Sequence, residues 1–156
     1  MKRILQAVAI FIAAIIAAGV TGFSFYVWPT DISDKNLTIT PTMLEQLSKL
    51  QAERKFDADL NSLYPGAPNE TSRAAAQAAV DDVISSIRSE LALRPQRCTV
   101  LRQFKLALAK FDASESEERD QFLVYLSRVM TIVGVSDSGE LLNVWRYGFP
   151  YGWLIK

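Results

Sequence analysis

Four groups of residues in this chain have the types and spacing to do chemistry. The first is Gly134-Val135-Ser136-Asp137-Ser138-Gly139, which approaches a serine-nucleophile elbow. It lacks the second glycine at the required position, and the 156-residue chain contains no histidine to activate Ser136. Losing histidine also removes the usual acid/base group near neutral pH and the commonest metal ligand. The second group is carboxylates, which can cleave glycosides without histidine. Asp81 and Asp82 are adjacent, so they point to different parts of a helix surface. Glu115, Glu117, Glu118 and Asp120 fall at the start of an expected helix, where acids complement the helix dipole. They lack the alternating loop with a central glycine that calcium requires. The third group is a cationic run, Arg94, Arg97, Arg102, Lys105 and Lys110, with no acid between Glu90 and Asp112. It suits pairing with neighbouring helices, a protein partner, or anionic lipid headgroups. The fourth is Cys98, the one cysteine, which cannot form an intramolecular disulfide. It is expected in the first turn of a helix, near-buried, where flanking arginines favour a thiolate. None of these amounts to a catalytic constellation, and no cofactor is expected.

The segment that positions everything else is Ile4 to Trp28, 25 residues without a charge, behind Lys2 and Arg3. As a helix it is long enough to cross a bilayer with some tilt. Phe23, Phe25, Tyr26 and Trp28 crowd its C-terminal end, where rings belong at headgroup level. The basic residues before it keep the N-terminus cytoplasmic. The expected location is the bacterial inner membrane, single-pass, with the C-terminal domain periplasmic. A cleaved secretory signal is the competing reading. It exports the rest of the chain to the same side, but it leaves Phe-Ser-Phe-Tyr-Val-Trp exposed at the new N-terminus.

The expected organisation is an anchor at 1–30, a linker or lead-in at 31–40, and one helical domain at 41–156. The chain carries 17 basic and 17 acidic residues; the part beyond the anchor has 15 and 17, a net of −2. That balance argues against nucleic-acid binding. Thr40-Pro41 starts a helix bearing Met43, Leu44, Leu47 and Leu50 at helical spacing, with Thr42 and Glu45 offering a start two residues later, and it is expected to end near Lys55 or Phe56. Tyr64-Pro65-Gly66-Ala67 has the residues of a type II turn, with Leu60, Leu63 and Tyr64 tucked onto the core. Asn69 caps a second helix with the stripe Ala76, Val80, Val83, Ile84, Ile87 and Leu91. A third, from Arg97 or Cys98 to Phe111, buries Val100, Leu101, Phe104, Leu108 and Phe111. A fourth opens with capping-box spacing at Ser114 and Glu117, carries Phe122, Leu123, Leu126, Val129, Met130 and Val133, and stops at Gly134. A short fifth spans Glu140 to Tyr147. The fold class is therefore all-α: a transmembrane helix followed by a compact bundle of four to five helices.

Lys55-Phe56, Leu63-Tyr64-Pro65-Gly66, Glu70, Phe104, Phe111-Asp112, Glu118-Arg119, Tyr125-Leu126, Met130, Gly134 and Leu141-Leu142-Asn143-x-Trp145-x-Tyr147-Gly148-Phe149 follow a familiar order. Over roughly Met43 to Phe149 the chain resembles the bacterial family catalogued as domain of unknown function 4844. The resemblance implies an all-helical domain and no known activity, and it assigns no site residue.

Function is expected to be non-enzymatic: an exported, membrane-anchored interaction domain. Its partners are the bilayer, through residues 4–28, and an unidentified protein. The contact residues expected are Arg94, Arg97, Arg102, Lys105, Tyr151 and Trp153. An immunity or inhibitor protein against an envelope-targeting toxin is the concrete version. A scaffold component of an envelope complex is the alternative, and a carboxylate-based cell-wall hydrolase the third.

Overall fold

A computed structural model describes residues 2–27, 34–59, 63–111 and 116–148. Six helices occur among them: α1 Lys2–Val27, α2 Pro41–Ala52, α3 Glu70–Leu93, α4 Arg97–Lys110, α5 Ser116–Val133 and α6 Leu141–Tyr147. The fold is all-α, an apolar N-terminal helix followed by a bundle of five. The long α3 is the spine, packed against α2, α4 and α5, while α6 closes over α4 and α5.

Local signals place the helix starts. The Thr40 hydroxyl accepts from Met43 N–H at 3.1 Å, and Pro41 occupies the first helical position. Asn69 Oδ1 accepts from Ser72 N–H at 2.8 Å and starts α3. Asn69→Ala removes that acceptor while leaving the helix body intact. A loss of about 1 kcal/mol in the free energy of unfolding by urea is expected, and Asn69→Asp should recover most of it.

The apolar stripes form the core. All six expected α3 positions are buried, as are Met43, Leu47 and Leu50 of α2 and Val100, Leu101, Phe104 and Leu108 of α4. On α5, Phe122, Leu126, Val129, Met130 and Val133 are buried, with Leu123 partly so. Phe111 stacks on Phe122 with centroids 4.0 Å apart, and Trp145 leans against both. Gly134, at φ +75°, ends α5 in a Schellman motif. Val135 N–H donates to the Met130 carbonyl at 2.9 Å and Gly134 N–H to that of Thr131 at 3.4 Å.

Four expectations need correction. The helix α2 stops at Ala52, short of Lys55, because Glu53 is already extended and the Lys55 side chain folds back over the helix end. Leu63 does not tuck inward: it is 87% exposed, while Tyr64 is buried as expected. The fifth bundle helix begins one residue later than expected, at Leu141, and α4 stops at Lys110, leaving Phe111 as an extended C-cap that is only partly buried. Ser114 and Leu60 lie outside the described residues.

The expected lead-in, from Asp34 onward, is bonded to the start of α4. Leu37 N–H donates to Pro95 O at 2.7 Å, Arg97 N–H to Lys35 O at 2.9 Å, and Cys98 N–H to Asp34 Oδ1 at 3.0 Å. Gln96 makes no side-chain cap, so Asp34 caps α4 from 64 residues away. Leu37 is buried in the core.

The span Ile4–Gly22 has mean hydropathy 2.4, and none of it is buried. By length and composition it can cross a membrane, as can a signal sequence.

Candidate functional site

The best-built polar constellation sits where α2 ends and α3 begins, on residues that also carry the family resemblance. Lys55 is fully buried. Its ammonium donates to the carbonyls of Gln51 at 3.0 Å and Glu53 at 2.9 Å, and lies 2.7 Å from Asp81 Oδ1. A lysine near the end of a helix thus covers the carbonyls that the helix cannot satisfy itself. Two carbonyls hold the ammonium by hydrogen bonds and the Asp81 carboxylate by charge, so this lysine is built as a fastener.

The next residue, Phe56, is held at φ +62°, a left-handed conformation uncommon for a bulky side chain. Its N–H donates to Tyr125 Oη at 3.3 Å, and its carbonyl accepts from Ala67 N–H at 3.0 Å. Its ring meets Tyr125 at 5.1 Å and the edge of Tyr64 at 6.4 Å. The turn that delivers Tyr64 needs its glycine: Gly66 is at φ +92°, and a Cβ there would stand 3.0 Å from Ala58 N.

Outside this lock lies a shallow polar depression lined by Arg54, Asp57, Asn69, Glu70 and Arg73. Arg73 donates to both carboxylate oxygens of Glu70, at 2.8 and 2.6 Å, to Gln77 Oε1 at 2.6 Å and to Lys55 O at 3.1 Å. Arg54 reaches Glu70 Oε2 at 3.1 Å from the other side. Hydrogen bonds from Arg73, then the charges of Arg73 and Arg54, hold the Glu70 carboxyl down at about 2. A depressed acid stabilises the fold above its unfolded pKa and loses that contribution as pH falls through the folded one. The stability difference between wild type and Glu70→Gln should therefore be constant above pH 5 and shrink between pH 4.5 and 2. Urea midpoints of the two proteins across that range provide the check, and a pH-independent difference would refute it.

The other expected site residues do not converge. Arg94 is exposed at the end of α3. Arg97 donates through Nη2 to Asp137 Oδ1 at 3.0 Å and through Nε to Asp137 O at 3.2 Å. Gly139 N–H and then the Arg97 charge hold the Asp137 carboxyl below its usual range. This pairing joins α4 to the loop after α5. Arg102, half-buried, and Lys105, exposed, lie further along α4. Arg97, Arg102 and Lys105 are distributed along about 12 Å of α4, and Arg94 lies outside it. Tyr151 and Trp153 lie outside the described residues.

Among the acids, Asp81 is the partner of buried Lys55, while Asp82 is exposed. Asp120 takes Arg146 of α6, and Glu118 is buried. Ser136 is exposed, its hydroxyl 3.4 Å from Asp137 Oδ2. Cys98 is buried, its Sγ 3.9 Å from Gln96 Oε1. Sequence reasoning missed the Lys55–Asp81 pair. The available signal was a lysine beside a phenylalanine at a helix end, with an aspartate bordering the apolar stripe of the next helix.

Fold and site together define a helical bundle domain, carried behind an apolar helix, in which buried Lys55 past the end of α2 pairs with Asp81 midway along α3. The chain belongs to the DUF4844 family: the model described as "Domain of unknown function (DUF4844)" matches residues 38–150. A crystal structure of a DUF3571 family protein from Acinetobacter baumannii AYE has a similar fold, with TM-score 0.64 and 24% identity. The match covers 73% of this chain and 95% of that one. At that identity the likeness is one of fold. No curated protein matches the chain.

Proposed function

We propose that this protein is a non-enzymatic interaction module, held on the periplasmic face of a bacterial inner membrane by residues 4–28. The observation that carries the reading is the contrast between α1 and the bundle. The bundle core is made by residues of α2 to α6 and the segments between them, with Leu37 of the docked lead-in. Meanwhile Ile4, Ile10, Phe11 and Val20 of α1 are each more than 60% exposed. An apolar surface of that size needs a bilayer or a protein over it. Lys2 and Arg3 before the span orient it with the domain outside. The polar groups of the bundle serve packing and capping, which favours binding over catalysis.

The specific version is an inhibitor that captures a protein attacking the envelope. Two measurements on the full-length chain test it. A C-terminal alkaline phosphatase fusion should be active and should sediment with membranes after an alkaline wash, with an N-terminal tag retained. An inactive fusion overturns the topology, and a lost tag replaces the anchor with a cleaved signal. Crosslinking in the native cell should then capture one exported protein at one-to-one stoichiometry, and deletion should sensitise cells to it. Capture of several envelope proteins, with a deletion defect in the absence of any attacker, would replace the inhibitor by a scaffold.

A further inference from the structure

We infer that the end of the bundle formed by the close of α3 and the start of α4, with Leu93 and Arg94 at its rim, rests on the headgroups of the membrane that holds α1. The inference builds on the anchor reading and adds an orientation to it. Its basis is the length of chain between two fixed points. The helix α1 ends at Val27, and Asp34 is already bonded to the first turn of α4. Seven Cα steps separate them in sequence, so the end of α1 and Asp34 lie within about 25 Å even at full extension. The attachment at Asp34 is not a single contact. Cys98 N–H, Arg97 N–H and Leu37 N–H all bond across this joint, at 2.7 to 3.0 Å, and Leu37 is sunk in the core. The tether therefore pulls on α4's N-terminus.

The bundle's topology decides what else is at that end. The end of α2 meets the beginning of α3 through Arg54 and Glu70, and Gln51 reaches Ser85 further along, so α2 runs antiparallel to α3. Glu53, just past α2, meets Arg128 of α5. The end of α3, the start of α4 and the 134–140 loop, tied in by Arg97–Asp137, consequently share one end. The Pro65-Gly66 turn lies toward the other, beside Glu70, and the Lys55–Asp81 pair sits about midway, Asp81 being in the middle of the 24 residues of α3.

The chemistry at the tethered end suits a lipid surface. Leu93 is 78% exposed, an apolar side chain that no neighbour covers well. Arg94, beside it, and Lys35, on the docked lead-in, are exposed cations. The acids there are engaged: Asp34 caps α4, Asp137 holds Arg97, and Glu140, half-buried, accepts from Asn143 Nδ2 at 2.9 Å. Glu90, a turn earlier on α3, is half-buried. An apolar side chain flanked by cations matches an anionic headgroup layer. With α3 as a 24-residue spine about 35 Å long, its start at Glu70, which shares a depression with Pro65 and Gly66, would face away from the bilayer and be open to a protein partner.

The spine also supplies the ruler for a test. Two single-cysteine versions of the full chain, Leu93→Cys and Thr71→Cys, both exposed sites on α3, are made in a Cys98→Ala background checked for native helicity. Each carries an environment-sensitive fluorophore and is reconstituted into vesicles of phosphatidylcholine and phosphatidylglycerol containing a headgroup spin-labelled lipid. Quenching at position 93 is expected to exceed that at 71 at least about threefold, and Arg94→Glu should reduce it. Equal quenching, or stronger quenching at 71, in protein that stays with the vesicles through an alkaline wash overturns the orientation and leaves the anchor standing. Protein that does not float with the vesicles removes the anchor, and the orientation with it.

Discussion

Asp81→Ala should cost the domain about 3 kcal/mol, near the low end for breaking a buried pair because Asp81 is itself a quarter exposed. The reason lies with its partner. Lys55 has no exposed surface, so once the carboxylate is gone its charge stays buried with only the carbonyls of Gln51 and Glu53 to face. Unfolding of the full chain in detergent, followed by circular dichroism, should show a midpoint lower by about 10 °C. The double variant Lys55→Met/Asp81→Leu removes both charges, replaces them with apolar groups of similar size, and should be clearly more stable than Asp81→Ala. If the double variant is as unstable as the single, the loss comes from packing and the uncompensated charge is not its cause. Asp82→Ala, one position along and exposed, is the control and should change little.

Phe56→Ala is the second large effect, expected at about 3–5 kcal/mol. The ring is 1% exposed and lies between Tyr64 and Tyr125. Truncating it empties the space between the Tyr-Pro-Gly turn and α5 while keeping the unfavourable φ of +62°. Tyr125→Phe separates the two roles of that contact. It retains the ring packing and removes only the acceptor for Phe56 N–H, so about 1 kcal/mol is expected. Denaturant midpoints give both values. A loss under 1 kcal/mol for Phe56→Ala would mean that the turn and α5 are held together by something other than this ring.

The two experiments probe adjacent residues with different physics. Lys55 closes α2 by charge and hydrogen bonds, and Phe56 pins the following loop by packing. Together they explain why the chain leaves the helix where it does. The consequence for function is that this polar cluster is structural at its base. Only its outer rim, with Arg54, Asp57 and Glu70, is open to a partner.

By itself the sequence determined the all-helical class, the apolar N-terminal helix, and the starts of α2, α3 and α4. It also identified the faces that are buried. Those features depend on groups within about four residues of one another: Thr40 with Met43, Asn69 with Ser72, Gly134 with the last turn of α5. Apolar periodicity is equally local, so the α3 stripe could be read without knowing what packs on it. Tertiary structure alone decided the rest. Lys55 looked like an ordinary cation at a helix end until α3 brought Asp81 to it, and only that encounter makes its burial tolerable. Asp34 lay in a polar stretch with no apolar pattern, and its role as the cap of α4 depends on a contact across 64 positions. The arginines of α4 formed one run along the chain, but a helix spreads such a run over its length, and the fold gave Arg97 to Asp137 rather than to the acids at the start of α5. Local chemistry wrote the elements; the long-range pairs, whose desolvation is offset only when both partners arrive, were settled by packing.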